Sequence, residues 1–155
     1  MYKGKKLILL PVLFSLAFTS QAQAANMPSH ALDSFRGEWE PTKGLGSPIF
    51  IPKIGDTAEL MVELNQIQIL VRLVPSAVEP GSVDLFLVKP LDLGKGGSSL
   101  PWDKMNTSAP IARMTKGFKQ PNHIILKWFG LRTKQMNNTA YQYGSGLQGE
   151  YQRAN

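Results

Sequence analysis

Cysteine is absent from this 155-residue chain, and histidine occurs only twice. Without cysteine the chain has no disulfides, no thiolate metal sites and no lipid attached to an N-terminal cysteine. Its two histidines, His30 and His123, fall short of the three or four His, Cys or carboxylate ligands of a typical zinc site. We therefore expect no metal site, and a fold that its core must stabilise without cross-links.

Catalytic and nucleotide-binding motifs are also missing. No serine lies in a Gly-x-Ser-x-Gly motif, and the nearest fragments are residues 44–47 and 144–146. Residues 94–98 place a lysine among glycines, but they lack the spacing of a phosphate-binding loop and no helical pattern follows. We expect a protein that is not an enzyme and holds no cofactor. A hydrolase using His123 with a serine and an aspartate is the least favoured alternative.

Long hydrophobic runs are confined to the start of the chain. Residues 7–18 are apolar apart from a proline and a serine, and this run is shorter than the roughly 20 residues that span a bilayer. Three lysines precede it, and an Ala-Gln-Ala sequence ends at residue 24. This pattern predicts a signal peptide, residues 1–24, that is removed on export. We expect residues 25–155 to form one soluble domain, periplasmic or secreted and not transmembrane.

Carboxylates are missing from most of the second half of the chain. Residues 25–103 carry six basic and ten acidic side chains, whereas residues 104–155 carry eight basic side chains and one acidic. This asymmetry indicates an acidic partner for the second half. The alternative is that the two halves neutralise each other within the fold, and the sequence leaves both open.

Lys127, Arg132 and Lys134 are the candidate anion-binding or partner-binding residues, because aromatic side chains are interleaved with them and with Lys104. Aromatic and cationic side chains together bind single-stranded nucleic acid in some barrels. An exported protein meets acidic lipid or polysaccharide more readily, so we expect no nucleic-acid partner. The alternative is that Trp128 packs inward and the cations only keep the outer faces of the strands in contact with water.

Alternating apolar and polar residues predict an all-β fold. Residues 57–74 also have helical spacing, but their β-branched residues favour two strands. Seven strands are predicted, at residues 33–40, 57–64, 67–74, 82–88, 111–118, 122–129 and 147–153, with an eighth within residues 47–52. Short strands with turn-like links indicate a single antiparallel barrel of about eight strands, with a β-sandwich as the alternative.

The two ends of the domain carry similar segments. Residues 35–40 and 147–152 both follow the order apolar, polar, Gly, Glu, aromatic, polar. We expect the first and last strands to pair antiparallel and close the sheet. Gly37 would lie opposite Gly149, which places Arg36 opposite Glu150 and the apolar residues on one face.

Gly37 and Trp39 resemble the Gly-x-Trp of the first barrel strand in lipocalin-like proteins, where the tryptophan closes the base of the barrel. A long loop after the first strand and a last strand with Tyr151 and Arg153 are also similar. The resemblance implies a closed barrel whose mouth can hold a small apolar molecule. The chain lacks the cysteines that many secreted lipocalins carry.

The leading functional prediction is an exported, non-catalytic barrel that binds a small apolar or lipid-like ligand inside, with Trp39, Phe50 and Trp102 as lining or lid residues. The alternative is an envelope protein-interaction module or enzyme inhibitor that binds an acidic partner through its basic C-terminal face. An apolar cavity would favour the first. A filled interior with exposed cations on one face would favour the second. The sequence does not indicate an oligomeric state.

Overall fold

Eight antiparallel strands form a closed barrel in the computed structural model, which describes residues 29–43, 46–62, 66–117, 120–134 and 148–154. The strands are β1 Gly37–Lys43, β2 Ile49–Ile51, β3 Thr57–Val62, β4 Ile67–Pro75, β5 Ser82–Asp92, β6 Pro110–Gly117, β7 Gln120–Trp128 and β8 Gln148–Arg153. Each strand pairs with the next, and β8 pairs with β1. The predicted all-β antiparallel barrel is therefore confirmed. The predicted signal peptide lies outside the described residues.

The pairing of β3 with β4 shows how side-chain alternation determines this architecture. Along β3, Ala58, Leu60 and Val62 are buried while Thr57 and Glu59 are exposed. A period of two leaves one apolar face for the barrel interior and one polar face for solvent. The prediction of two strands here is confirmed, and the helical alternative is wrong.

Large apolar side chains fill the barrel where the structure describes it. The largest inward-facing side chains each expose at most 2% of their surface, and they are Trp39, Ile49, Ile51, Ile67, Ile69, Leu85, Met114, Ile124 and Leu126. These side chains belong to one core cluster, and they form an apolar interior in the part of the barrel that the structure describes.

The two ends of the barrel are covered by different segments. At the base, where β1 begins and β8 ends, the 3-10 turn Asp33–Phe35 places the buried Phe35 over the opening. At the opposite end, which we call the loop end, the connection from β5 to β6 contains the 3-10 turns Gly97–Ser99 and Trp102–Lys104. This connection also buries Leu100 and Met105.

The predicted register between β1 and β8 is wrong, although the strands do pair antiparallel. Trp39 lies opposite Arg153, and Pro41 lies opposite Tyr151. The physical reason is the 3-10 turn Asp33–Phe35, which crosses the base, so that the strand begins at Gly37 and not at residue 33. The observed register differs from the predicted one by an even number of residues, so each side chain stays on the face that was predicted for it. Trp39 and Tyr151 are therefore buried on the inner face.

Arg36 contacts the loop after β2, and the predicted pairing with Glu150 is wrong. The guanidinium donates to the Pro52 carbonyl at 2.6 Å and to the Gly55 carbonyl at 3.0 Å. It also pairs with Asp33 at 3.1 Å. Arg36 therefore connects the N-terminal turn to the base of the barrel.

Candidate binding surfaces

The indole of Trp39 is fully buried at the base of the barrel. Its Nε1 donates a hydrogen bond to the Phe35 carbonyl at 2.7 Å, so the indole satisfies its polar atom within the protein. The N-terminal turn and the first strand are thereby connected through one side chain.

Two cations lie over the Trp39 ring. The guanidinium carbon of Arg153 is 4.5 Å from the ring centroid, and the Nζ of Lys116 is 4.6 Å from it. Both side chains donate to the Ser34 carbonyl, and Arg153 also donates to the Arg36 carbonyl at 2.6 Å. Burial, and then the positive charge of Arg153, lower the pKa of Lys116 to about 8. These contacts hold the N-terminal turn on the barrel, which is a structural role.

Gly37 provides the space that Arg153 occupies. Its φ of +110° lies in a region that residues with a Cβ rarely adopt. A Cβ at this position would also lie 2.7 Å from Nη1 of Arg153. In the Gly-x-Trp motif, Gly37 therefore supplies a backbone conformation that glycine adopts readily, and Trp39 supplies the ring on which Arg153 stacks.

The three predicted ligand-lining residues do not lie together. Trp39 is in the interior at the base, whereas Phe50 points outward from β2 and exposes 60% of its surface. Trp102 lies at the loop end, where its Nε1 donates to the Gly97 carbonyl at 2.7 Å and its ring packs on the core. Their role as the lining of one ligand site stays a prediction.

Two depressions lined by described residues lie on the outer surface. The first, of about 350 Å³, lies beside Phe50, Glu59 and Leu70 on β2, β3 and β4. The second, of about 420 Å³, lies beside Arg72 and Val88. Both are partly open to solvent.

The structure brings two distant cations together at the loop end. Met105 forms an isolated antiparallel bridge with Thr133. Two backbone hydrogen bonds enclose the bridge, from Lys134 N to the Lys104 carbonyl at 2.8 Å and from Asn106 N to the Arg132 carbonyl at 2.7 Å. Antiparallel geometry therefore places Lys104 opposite Lys134. Met105 is buried on the inner side, and the two lysines are exposed on the other.

Lys104, Lys127, Arg132 and Lys134 form a surface that we call the basic rim. All four side chains are exposed. Lys127 is on the outer face of β7, near the strand's loop end and opposite Gln148. Sequence reasoning named the other three and missed Lys104 as a site residue. The available signal was that Lys104 is the first residue of the stretch without carboxylates.

The four cations of the basic rim lack acidic partners, whereas Arg113 on the outer face has two. Arg113 is paired with Asp84 at 2.6 Å and with Glu79 at 3.0 Å. Hydrogen bonds from Thr115 and from Arg113 hold the pKa of the Glu79 carboxyl below its usual value. Within the part of the chain that the structure describes, none of the four rim cations forms an ion pair. Their positive charge is therefore available to a partner.

Comparison of the chain with protein-family models, with curated proteins and with solved structures finds no match. Among the described residues, no group of three or more His, Asp or Glu side chains is arranged to hold a metal ion. No helix in the described ranges has the length and apolar character needed to cross a membrane. His30 contacts Asp33, and His123 lies opposite Gln152.

Proposed function

We propose that this protein is an exported, non-catalytic, lipocalin-like barrel that binds an acidic partner of the cell envelope through the basic rim. The single observation that supports this most directly is the placement of Lys104 opposite Lys134 across the Met105–Thr133 bridge. The lipocalin-like description is supported by the closed eight-stranded topology and by the arrangement of Gly37 and Trp39.

Like charges placed directly opposite each other on neighbouring strands are destabilising. A folded chain gains nothing from this arrangement by itself, and in this protein no carboxylate of the described residues neutralises it. An acidic partner would relieve the repulsion on binding, and the summed field of the rim would attract it before contact. The local cost to stability is thus consistent with a binding role.

The second candidate function is the binding of a small apolar or lipid-like molecule inside the barrel. It is supported by the large apolar side chains of the inner face and by the resemblance of Gly37 and Trp39 to the first strand of lipocalin-like barrels. Such a ligand would have to displace packed side chains. For this reason we place the binding surface on the outside.

The rim proposal is tested by binding of the protein to immobilised dextran sulfate at increasing salt. The wild-type protein should bind, and its affinity should fall steeply with salt because the contacts are between exposed charges. The Lys104→Gln/Lys134→Gln variant should bind about tenfold or more weakly, since each cation near an anionic surface contributes on the order of 1 kcal/mol.

The matched control is Lys53→Gln/Arg72→Gln, which removes the same charge from two exposed cations away from the loop end. This variant should bind like the wild-type protein. Equal losses in the two variants would mean that only net charge matters, and an absence of binding at low salt would overturn the proposal.

A further inference from the structure

We infer that the acidic partner is the surface of an anionic phospholipid membrane, with the loop end of the barrel facing the bilayer. This inference rests on the proposed function, because it uses the same basic rim. It adds the class of partner and the orientation of the barrel.

Two exposed leucines lie on the same end of the barrel as the rim. Leu91 and Leu93, at and just beyond the end of β5, expose 43% and 38% of their surfaces. The Leu93 carbonyl accepts a hydrogen bond from Gly97 N at 2.8 Å. The Gly97 carbonyl in turn accepts from Trp102 Nε1 at 2.7 Å, and Trp102 begins the turn that carries Lys104. A continuous chain of contacts therefore connects the leucines to the rim.

The charge of this end is strongly positive. Among the described residues, two more exposed lysines, Lys89 and Lys95, join the four cations of the rim, and the exposed carboxylates near them are Asp92 and Asp103. Asp92 already accepts a hydrogen bond from Gly94 N at 2.9 Å. An anionic leaflet attracts each such cation within a Debye length of its surface.

The combination of cations, exposed leucines and a tryptophan favours a membrane over the other acidic partners. Interfacial binding adds the burial of apolar side chains to the attraction between charges, and tryptophan is enriched at the membrane interface. A polysaccharide or nucleic acid would use the cations but offer no apolar phase to Leu91 and Leu93. An acidic protein could cover them, and it is an outcome of the test.

The test is co-sedimentation of the exported protein with vesicles of two compositions. Intact mass first checks that the leader has been removed. The protein should bind vesicles of equal parts phosphatidylglycerol and phosphatidylcholine and not pure phosphatidylcholine, and binding should fall with salt. Leu91→Ser/Leu93→Ser should bind the anionic vesicles about tenfold more weakly while keeping its affinity for dextran sulfate. The matched control, Ile54→Ser/Val78→Ser, alters residues that are 89% and 75% exposed at the base and should bind normally.

A second measurement does not depend on the folding of the leucine variants. Since the chain has no cysteine, a polarity-sensitive fluorophore can be attached at Lys95→Cys or, as a control, at Lys53→Cys. Anionic vesicles should shift the emission of the first probe to the blue and leave the second unchanged. Equal responses of the two probes would overturn the orientation.

The outcomes separate the two proposals. Binding to dextran sulfate without binding to anionic vesicles would overturn the membrane inference and leave the rim as the site for another acidic partner. Vesicle binding that Leu91→Ser/Leu93→Ser leaves intact would also overturn the docking described here. Failure to bind either probe would overturn both.

Discussion

The space beside Gly37 decides how closely Arg153 can approach the base of the barrel. Gly37→Ala adds a Cβ at a φ of +110° and 2.7 Å from Nη1 of Arg153. Arg153 is held by two carbonyls and by the Trp39 ring, so its guanidinium cannot move aside without losing those contacts. We expect Gly37→Ala to lower the free energy of unfolding by roughly 1–3 kcal/mol in urea denaturation.

The control for this prediction is Gly81→Ala. Gly81 has a φ of +81°, and no atom lies within 4 Å of an added Cβ. This variant carries backbone strain without the clash, so it should destabilise less than Gly37→Ala. Equal effects would show that Arg153 does not depend on the space at Gly37.

Lys116 predicts a specific dependence of stability on pH. Its pKa is lowered from 10.5 to about 8, chiefly by burial and further by Arg153. The folded protein therefore releases this proton at lower pH than the unfolded chain does. Since the unfolded state binds more protons between these values, the free energy of unfolding gains a contribution that rises as pH increases from about 8 to about 10.5.

Lys116→Met removes the titrating group and keeps a side chain of similar length under the Phe35 and Trp39 rings. Urea denaturation across this pH range measures the free energy of unfolding of both proteins. The value for the wild type minus the value for the variant should increase as pH rises. A difference that stays constant with pH would contradict the assignment.

Strand β1 shows where sequence reasoning succeeds and where it fails. Alternation placed Trp39 and Tyr151 inward correctly, because burial on one face requires only a period of two. The predicted register of β1 against β8 depended on pairing Arg36 with Glu150. That pairing failed because the turn Asp33–Phe35 removes this part of the chain from the strand. A one-turn 3-10 segment has no periodicity by which a sequence could reveal it.

The observed register can be tested with disulfides, because the chain has no other cysteine. Glu40 lies opposite Gln152, and residues paired across an antiparallel sheet have Cα atoms about 5 Å apart, within the range of a disulfide. Glu40→Cys/Gln152→Cys should therefore cross-link on mild oxidation, as seen by intact mass. Glu38→Cys/Gln148→Cys would pair in the predicted register but lies about 20 Å apart in the observed one, so it should stay reduced. The reverse result would restore the predicted register.

The bridge between Met105 and Thr133 was equally hidden from sequence reasoning. It joins two loops that are distant in the chain and have no alternating pattern, so no local signal connects Lys104 with Lys134. Composition indicated a basic second half correctly. Only the fold shows which of its cations, such as Arg113, are neutralised by carboxylates.

Lys134→Glu should increase stability and decrease binding at the same time. The substitution turns a like-charge pair with Lys104 into an opposite-charge pair, which contributes roughly 0.2–1 kcal/mol across neighbouring strands. Thermal unfolding should therefore occur at a higher temperature at low salt, and the gain should shrink as salt screens the pair. Binding to dextran sulfate should weaken, because the rim loses a cation and gains a carboxylate. A variant that gains no stability would show that Lys104 and Lys134 do not interact.

At the scale of the whole molecule, the two halves of the chain neutralise each other only in part. Glu79 and Asp84, from the acidic half, hold Arg113 of the basic half on the outer face. The cations of the basic rim have no such partner among the described residues. Neutralisation between the halves therefore holds at Arg113, and an acidic partner at the basic rim stays a prediction.

A ligand can bind inside the barrel only if the interior has room for it, so the packing of the interior bears on where the binding site lies. Ile69 lies on β4 and is fully buried, so Ile69→Ala should create a cavity and cost about 2–5 kcal/mol of unfolding free energy. Cavities of this kind stay dry and take up small apolar molecules such as benzene. Benzene should therefore raise the melting temperature of Ile69→Ala and leave the wild-type protein unchanged.

Leu70→Ala is the matched control, because Leu70 is only half-buried on the outer face and its truncation opens no internal space. Stabilisation of the wild-type protein by benzene or by a fatty acid would mean that the barrel already has room inside, and would make the interior the binding site.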